Sequence, residues 1–449
     1  MKVSYINPSM TGRPTRAPFE PLTFAALSAL TPPDVERTLH DECLGPLPFD
    51  EPTDLVAISV STYTARRAYQ IARHYRRRGV PVVMGGYHPT VLPREALEAA
   101  DAIVIGEAER VWASVVADFA RGRPRRVYRG GCDSLAGLRF DRGIFAGKRY
   151  RPVRLVQFGR GCRFDCDFCS IPRFFRRRRM QRPVREVAAE VERLERGTIF
   201  FVDDNLHVGE HGTRALLDEL APLGRRWMCQ ASIDVAEDVD LVKRLARAGC
   251  FAVLMGFESM SGRTLERMHK TWHQGRSQYE ELVHRLRDHG ILVYGTFVLG
   301  YDDDTPDVVD ATFDFAERAG LFLAAFNLLT PVPGTAIYRR LAAEGRLVGD
   351  PWWLHPATRF EHAVFTPAAM TRVELEAGAR RIRRGFYGAR SIARRLLVNP
   401  GLFRSPVKLG LFLATNVLYR AEVARLRDLP FGDPLDDAPL PLHAEAAPG

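Results

Sequence analysis

Gly161-Cys162-Arg163-Phe164-Asp165-Cys166-Asp167-Phe168-Cys169-Ser170 places three cysteines within eight residues, in the spacing CxxxCxxC. Directly before it, Val153-Arg154-Leu155-Val156-Gln157-Phe158 reads as a short strand that Gly159 and Gly161 break. The cysteine loop is therefore expected at the C-terminal end of a strand, where parallel α/β barrels keep their chemistry. Thiolates are the ligands of iron–sulfur clusters, and a cubane cluster has four irons. Three cysteines on one loop hold three irons and leave the fourth open to bind and reduce something. A structural zinc site would want a fourth ligand at finger spacing, and no CxxC or HxxxH partner follows at that distance.

Outward from this loop, residues 151–345 repeat a strand-then-helix pattern six times. The expected strands are 153–158, 198–203, 226–231, 251–257, 292–299 and 322–329. The expected helices are 183–196, 210–223, 236–248, 261–285, 306–319 and 334–344. Six βα units predict a partial (β/α)6 barrel of the TIM type, open at the side to a large substrate. The strand ends carry polar residues: Asp203-Asp204-Asn205, Glu258-Ser259 and Gly300-Tyr301-Asp302-Asp303-Asp304. A carboxylate at such an end accepts hydrogen bonds from two ribose hydroxyls or an ammonium. Glu258 follows an apolar run and reads as functional, whereas Asp302, Asp303 and Asp304 precede Thr305-Pro306 and read as helix caps.

Residues 1–130 read as an open α/β unit, with strands at 2–6, 54–60, 80–84 and 102–105 and helices at about 63–78 and 92–99. Its strand ends are small and polar: Ser59-Val60-Ser61-Thr62, Gly85-Gly86-Tyr87-His88 and Gly106-Glu107. Ligands of doubly wound sheets bind at those ends. Residues 131–150 hold four glycines and read as a linker. Residues 346–432 lose the alternation. Trp352-Trp353-Leu354-His355 and Phe360-Glu361-His362 are expected either to line a pocket or to pack the last helix, and helices are expected at 371–398 and 406–426. The tail from Asp433 to Gly449, rich in proline, alanine and acids, is expected to be disordered.

The cysteine loop, with Phe168 before its last cysteine, resembles the radical S-adenosylmethionine (radical SAM) superfamily. Preceded by the Rossmann-like unit, it is similar to the cobalamin-binding-domain branch, which includes class B radical SAM methyltransferases. The resemblance implies a doubly wound cobalamin-binding domain, a partial radical SAM barrel and a C-terminal helical extension. It implies a [4Fe–4S] cluster on Cys162, Cys166 and Cys169, with S-adenosylmethionine on the open iron. It places Phe168, Asp203, Asp204, Glu258, Ser259 and Gly300 around S-adenosylmethionine, with Phe168 at the adenine, the two aspartates beside the cluster, and the Gly300 turn letting backbone approach the adenosyl group. It places Ser59, Ser61, Thr62, Gly85, Gly86, His88, Gly106 and Glu107 around cobalamin, with His88 near the corrin rather than on the metal. The DxHxxG motif of other cobalamin enzymes is missing; Asp41-Glu42-Cys43-Leu44-Gly45 is the nearest stretch and has no histidine. Within the family this implies a cobalt with no histidine beneath it.

The implied activity is methylation of an unactivated carbon in a small-molecule or lipid-like substrate, through a 5′-deoxyadenosyl radical and methylcobalamin. A flavodoxin or ferredoxin would supply electrons. A cobalamin-dependent cyclase, oxidase or rearrangement enzyme, an ordinary radical SAM enzyme with a vestigial N-domain, and an RNA-modifying protein stay open as alternatives.

Hydrophobic content of 46% and charged content of 26% are ordinary for a globular protein. Seven cysteines are too few for a disulfide scaffold and fit a reducing, cytoplasmic compartment. The formal charge is +10, yet only five of the 64 basic residues are lysine, which reads as compositional bias more than as a ligand signal. No recognisable RNA-binding module accompanies that charge, so no specific nucleic acid is expected. The run Arg176-Arg177-Arg178-Arg179, with Arg173, Arg182 and Arg185 near it, reads as a solvated face or an anion patch. The segment 406–426, apolar with arginines at its end, hints at peripheral membrane contact or at docking on the barrel.

Overall fold

The computed structural model describes residues 1–15, 18–207, 210–270, 278–426, 428–434 and 436. Two six-stranded parallel sheets organise the chain. The first holds β1 (Lys2–Asn7), β2 (Glu36–Asp41), β3 (Leu55–Ser59), β4 (Val82–Gly85), β5 (Ala102–Ile105) and β6 (Val127–Arg129), in the order β2-β1-β3-β4-β5-β6. Two of these, β2 and β6, were not expected. Glu36–Asp41 carries a charge at each end, and Val127–Arg129 has three residues, so neither is an apolar run. They flank the sheet as edge strands, where half of the backbone groups face outward. Both faces of this sheet are buried. Ile6, Val56 and Ile58 point to one core, and Val3, Tyr5, Leu55 and Ala57 to the other, as a parallel sheet covered on both sides requires.

The second sheet runs β14 (Leu323–Leu328), β13 (Leu292–Leu299), β12 (Cys250–Glu258), β11 (Trp227–Gln230), β10 (Thr198–Phe201) and β7 (Val153–Val156). All neighbours are parallel, and the edge strands β7 and β14 do not pair with each other, so the barrel is partial. A two-stranded ribbon of β8 (Gly159–Arg160) and β9 (Met180–Gln181) leaves the end of β7. Of the expected helix 261–285, residues 271–277 lie outside the described residues, and the described part forms Gly262–Arg267 and Tyr279–Asp288.

Beyond the barrel, the expected helix 371–398 is broken at Tyr387-Gly388 into Arg372–Phe386 and Ala389–Leu397. Pro406–Leu426 forms as expected. The segment 131–150 is more ordered than a linker reading implies: Arg142–Phe145 makes a 3-10 turn, and Leu135 and Phe145 are buried. Most of the tail lies outside the described residues; of its described part, Asp433 N–H and carbonyl meet Gln70 at 2.8 and 2.9 Å.

Candidate functional site

The base of the cysteine loop is closed by the β8–β9 ribbon, so residues 161–179 form one excursion from the barrel's top. Gly161 makes the turn possible. Its φ is +82°, and a Cβ there would lie 2.0 Å from the Arg178 carbonyl oxygen. Two carboxylates at the end of β10 fasten the excursion. Asp203 accepts from the Phe158 amide at 3.1 Å and from the Gly159 amide. Asp204 accepts from the Gly161 amide at 2.8 Å. Asn205 approaches the Cys162 sulfur at 3.9 Å and donates to Ser232 at 2.9 Å. Burial pushes Asp203 up to about 7, against the pull of its two backbone donors. The two aspartates thus act on the loop that carries the thiols, and their lone pairs are largely spent on backbone.

All three cysteines are half-buried and free of disulfides. The Cys169 amide donates to the Cys166 carbonyl at 3.1 Å, a tight turn between two ligand positions. Burial pushes the Cys169 thiol up to about 12 and Cys166 higher still, so an isolated thiolate is disfavoured there without a compensating cation. Lys270 supplies positive charge. Its Nζ is 2.7 Å from Glu258 Oε1 and 3.4 Å from the Gly256 carbonyl. Burial works to lower Lys270, and Glu258 and Cys166 outweigh it, holding the ammonium above its ordinary value. Glu258 itself is buried and sits at φ +64°, where β12 is irregular against β13. A non-glycine residue in that region is strained and is held by its surroundings. Among the described residues, no three His, Cys, Asp or Glu side chains converge on a point where one ion would sit. A cubane puts each thiolate on a different iron, so its ligands need not converge, and this donor set fits such a cluster.

Phe168 packs edge-on to Tyr301, with centroids 6.4 Å apart, and the Tyr301 hydroxyl donates to Asp167 at 2.6 Å. Ser259 is buried, and its hydroxyl accepts from the Ser261 amide at 3.1 Å. Gly300 is packed on one side. A side chain there would meet Leu375 at 2.7 Å and Phe365 at 2.9 Å, so packed apolar atoms fill that side of the turn. The acidic run after it does not cap the next helix. Asp304 accepts from the Gly300 amide at 2.9 Å, the Tyr301 amide at 3.1 Å and Thr264 at 2.9 Å. Asp302 pairs with Arg340 at 2.5 Å and Arg346 at 2.8 Å, and Asp303 pairs with Arg267.

Facing the cysteine loop, a cavity of about 390 Å3 opens at the carboxyl ends of β3, β4 and β5. Ser59, Gly85, Gly86, Gly106 and Glu107 line it, as do Leu27, Leu30, Arg160, Ile171, Phe174 and Asp204 from elsewhere in the chain. The two halves are joined at its rim. Arg160 bonds Glu107 at 3.0 Å and Glu109 at 2.6 Å, Arg178 pairs with Glu107 at 3.2 Å, and Tyr87 donates to the Pro333 carbonyl at 2.7 Å. Three residues expected at this site lie off it. His88 is fully buried, with Nε2 2.8 Å from Glu95 and Nδ1 3.3 Å from Thr62. Thr62 is buried beside it, and Ser61 caps a 3-10 turn with Thr64. The imidazole is thereby committed to a buried carboxylate. No histidine lines the cavity, and its small residues Ala57, Gly85, Gly86 and Gly106 would let the backbone approach a corrinoid, beside the charged Glu107, Glu109, Arg160 and Asp204.

The tryptophan pair does neither of the things expected of it. Trp353 Nε1 donates to Glu95 at 3.1 Å and Trp352 Nε1 to the Pro331 carbonyl at 2.9 Å, while Trp352 packs on Tyr63 and Trp353 on His88 of the N-terminal half. His362 pairs with Asp428 at 2.7 Å. The arginine run is mixed. Arg182 is buried on Glu190 at 2.6 Å, Arg177 pairs with Asp165, and Arg173 and Arg176 are exposed. Sequence reasoning missed Lys270, Arg160 and Tyr301. Each acts through a partner far along the chain, and only Arg160, set between two glycines beside the cysteines, carried a local signal.

A partial parallel barrel with a three-cysteine loop at its mouth, abutting a doubly wound domain, is the architecture of one class of metalloenzyme. Residues 156–316 match the family model of the radical SAM superfamily, and residues 49–116 match that of the B12 binding domain. The chain thus joins a B12 binding domain to a radical SAM domain, the make-up of the cobalamin-binding-domain radical SAM enzymes. It is 28% identical over 394 residues to the bacteriochlorophyllide d C-12(1)-methyltransferase of Chlorobaculum tepidum, covering 85% of each chain. It is 26% identical to the hopanoid C-2 methylase of Rhodopseudomonas palustris, over 66% of this chain and 59% of that one. Among solved structures, it superposes on the radical SAM methyltransferase TsrM of Kitasatospora setae, determined with cobalamin and a [4Fe–4S] cluster bound. The TM-score is 0.61 and the identity 19%, over 76% of this chain and 75% of that one.

Proposed function

We propose that this chain methylates an unactivated carbon of a large, mostly apolar small molecule, of the tetrapyrrole or polycyclic lipid kind on which its relatives are named to act. The observation that carries the reading is the single cavity shared by the ends of β3–β5 and by Arg160, Ile171, Phe174 and Asp204 around the cysteine loop. When bound, the cluster supplies an electron for cleaving S-adenosylmethionine and cobalamin supplies a methyl carrier. Cys162, Cys166 and Cys169 would hold the former, and Ser59, Gly85, Gly86, Gly106 and Glu107 would border the latter. The chain's own residues do the positioning. Asp203 and Asp204 fix the height of the cysteine loop by gripping the Phe158 and Gly159 amides at its base and the Gly161 amide at its start. The Glu258–Lys270 pair puts a fixed carboxylate and ammonium beside the thiols, the polar partners a zwitterionic amino acid or a ribose needs. Arg160, clamped by Glu107 and Glu109, ties the glycine-lined cavity to the residue next to Gly161. Leu27, Leu30 and Phe174 add an apolar side to a cavity that also carries Glu107, Glu109, Arg160 and Asp204.

The test is product analysis. Anaerobic protein reconstituted with iron, sulfide and hydroxocobalamin is incubated with S-adenosylmethionine, a reductant and either a bacteriochlorophyllide or a hopanoid. A carbon radical cannot take a methyl cation from a sulfonium. Methylation therefore requires S-adenosylhomocysteine and 5′-deoxyadenosine to appear in equal amounts with the methylated product. 5′-Deoxyadenosine with altered substrate but no S-adenosylhomocysteine would move the chain to the cyclase or oxidase class.

A further inference from the structure

The described residues hold ten exposed large apolar side chains, and seven of them fall between Leu397 and Leu418: Leu397, Val398, Phe403, Val407, Leu413, Val417 and Leu418. The helix Pro406–Leu426 is apolar on both sides. Its inner side packs Phe412 into the barrel core and also carries polar groups: Asn416 is fully buried on Arg395 at 2.8 Å, Lys408 donates to the Gly290 carbonyl at 2.8 Å, and Tyr419 meets Tyr294 at 3.3 Å. Its outer side presents Val407, Gly410, Leu413, Ala414, Val417, Leu418 and Ala421, with Arg420 as the one charge among the exposed positions 406–421. A helix on a water-exposed surface normally turns a polar side outward. The charge around this face is one-sided as well. Residues 377–421 contain ten arginines and lysines and no aspartate or glutamate, and Arg390, Arg404 and Arg420 are exposed.

We propose that this face, built from the end of Ala389–Leu397, the turn Pro400–Arg404 and the outer side of Pro406–Leu426, lies on the surface of an anionic lipid bilayer. The contact is peripheral, since among the described residues no helix is long and apolar enough to cross a membrane. Phe403 and Val407 enter the acyl boundary while Arg390, Arg404 and Arg420 meet lipid phosphates, the division of labour of an interfacial helix. A second copy of the chain is a poorer occupant. A two-fold contact sets the same patch against itself, and here it would oppose arginine to arginine, whereas anionic lipid is complementary.

Vesicle flotation of the full chain tests this. The chain should float with phosphatidylcholine vesicles containing about 30% phosphatidylglycerol, far less with phosphatidylcholine alone, and less again as salt rises. The triple variant Phe403→Ser, Val407→Ser, Val417→Ser should bind about tenfold or more weakly. Arg404→Gln and Arg420→Gln should each cost about fivefold on the anionic vesicles and little on neutral ones. All the changed side chains are exposed, so thermal unfolding should match the parent. No flotation, equal flotation on both vesicle types, or a triple variant that floats like the parent would overturn the proposal. So would light scattering that shows a dimer which the triple variant abolishes, because the face would then belong to a second copy.

Discussion

The N-terminal sheet ends β3, β4 and β5 in Ser59, Gly85-Gly86 and Gly106, whereas the barrel ends β10 and β12 in Asp203-Asp204 and Glu258. Both sheets are parallel and both bring those ends to one place. The first leaves room: its glycines floor a cavity. The second builds restraint, with carboxylates that grip backbone amides and a lysine. The contrast matches the two kinds of guest. A wide macrocycle needs area and close backbone approach, while a cluster on three thiols needs those thiols held in a fixed triangle. Changes in the barrel ends should therefore act on geometry and charge, and changes in the N-terminal ends on space.

The largest effect tests the restraint at its centre. Alanine at Cys162, Cys166 or Cys169 should abolish iron binding and lower S-adenosylmethionine cleavage by about a thousandfold or more, since no other ligand replaces a cluster thiolate. Alanine at Cys43, Cys132, Cys229 or Cys250 should leave about four irons per chain, because Cys132, Cys229 and Cys250 are buried elsewhere and Cys43 lies beside Asn7. Iron analysis and 5′-deoxyadenosine formation read both sets. Full cleavage by Cys166→Ala would break the comparison at once.

Next comes the buried ion pair. Lys270→Met leaves Glu258 as a buried anion beside the thiols and should cost about 3–5 kcal/mol of stability. The double variant Glu258→Gln, Lys270→Met should recover part of that loss, because the uncompensated charge is gone. Chemical unfolding of the apo chain measures it. Equal stability of the single and double variants would show that the pair is incidental to holding the strained Glu258 backbone.

A third effect depends on pH. Burial pushes Asp304 from 3.8 up to about 6, opposed by its bonds from Gly300, Thr264 and Tyr301. Between roughly pH 4 and 6 the folded chain keeps a proton there that the unfolded chain has released. Stability from this group is thus present below that window and is lost as pH rises through it, by up to about 3 kcal/mol. Asp304→Asn imitates the protonated form and should remove that slope. The stability difference between parent and variant, followed by urea unfolding across the window, should change in the variant's favour as pH rises. A constant difference would mean that the carboxylate stays ionised on its three donors.

The barrel and its cysteine loop were legible because their signals are local: CxxxCxxC after a glycine-broken strand, then alternating strands and helices that, apart from the expected helix 261–285, fell within a few residues of their observed bounds. The N-terminal sheet was legible through its apolar inner strands, while the edge strands β2 and β6 lacked that pattern. His88 misled because residue type alone does not say where a ring points; Glu95, seven residues on, takes it into the core. The packing around Gly300 was out of reach for a related reason, since the atoms beside it come from Phe365 and Leu375, far down the chain. Lys270 was invisible because a lysine acquires meaning only from Glu258 across a loop. What sequence withholds is the long-range partner of each polar group, and the barrel's restraint is built from such partners.

The smallest effect separates room from strain within the N-terminal ends. Gly85 and Gly86 are neighbours and both line the cavity. Gly86 has φ +103°, and a Cβ there would sit 2.8 Å from the Val60 carbonyl oxygen and 3.1 Å from the Val60 nitrogen. Gly85 has an ordinary φ, and its Cβ would meet only the Val104 side chain, at 3.6 Å. Gly86→Ala should therefore cost about 1–3 kcal/mol, from left-handed backbone strain and a clash with main chain that cannot step aside. Gly85→Ala should cost under about 1 kcal/mol. Thermal unfolding ranks the two, and hydroxocobalamin binding followed by its absorption spectrum then asks which one matters to the guest. If the cavity works by room alone, the strained variant that still folds should lose affinity in step with its lost stability, and Gly85→Ala should keep most of both. A Gly85→Ala chain that is stable yet no longer binds the corrinoid would instead mean that the macrocycle lies against the β4 backbone itself. The N-terminal ends would then be as finely fitted as the barrel's, and the division between room and restraint would fall.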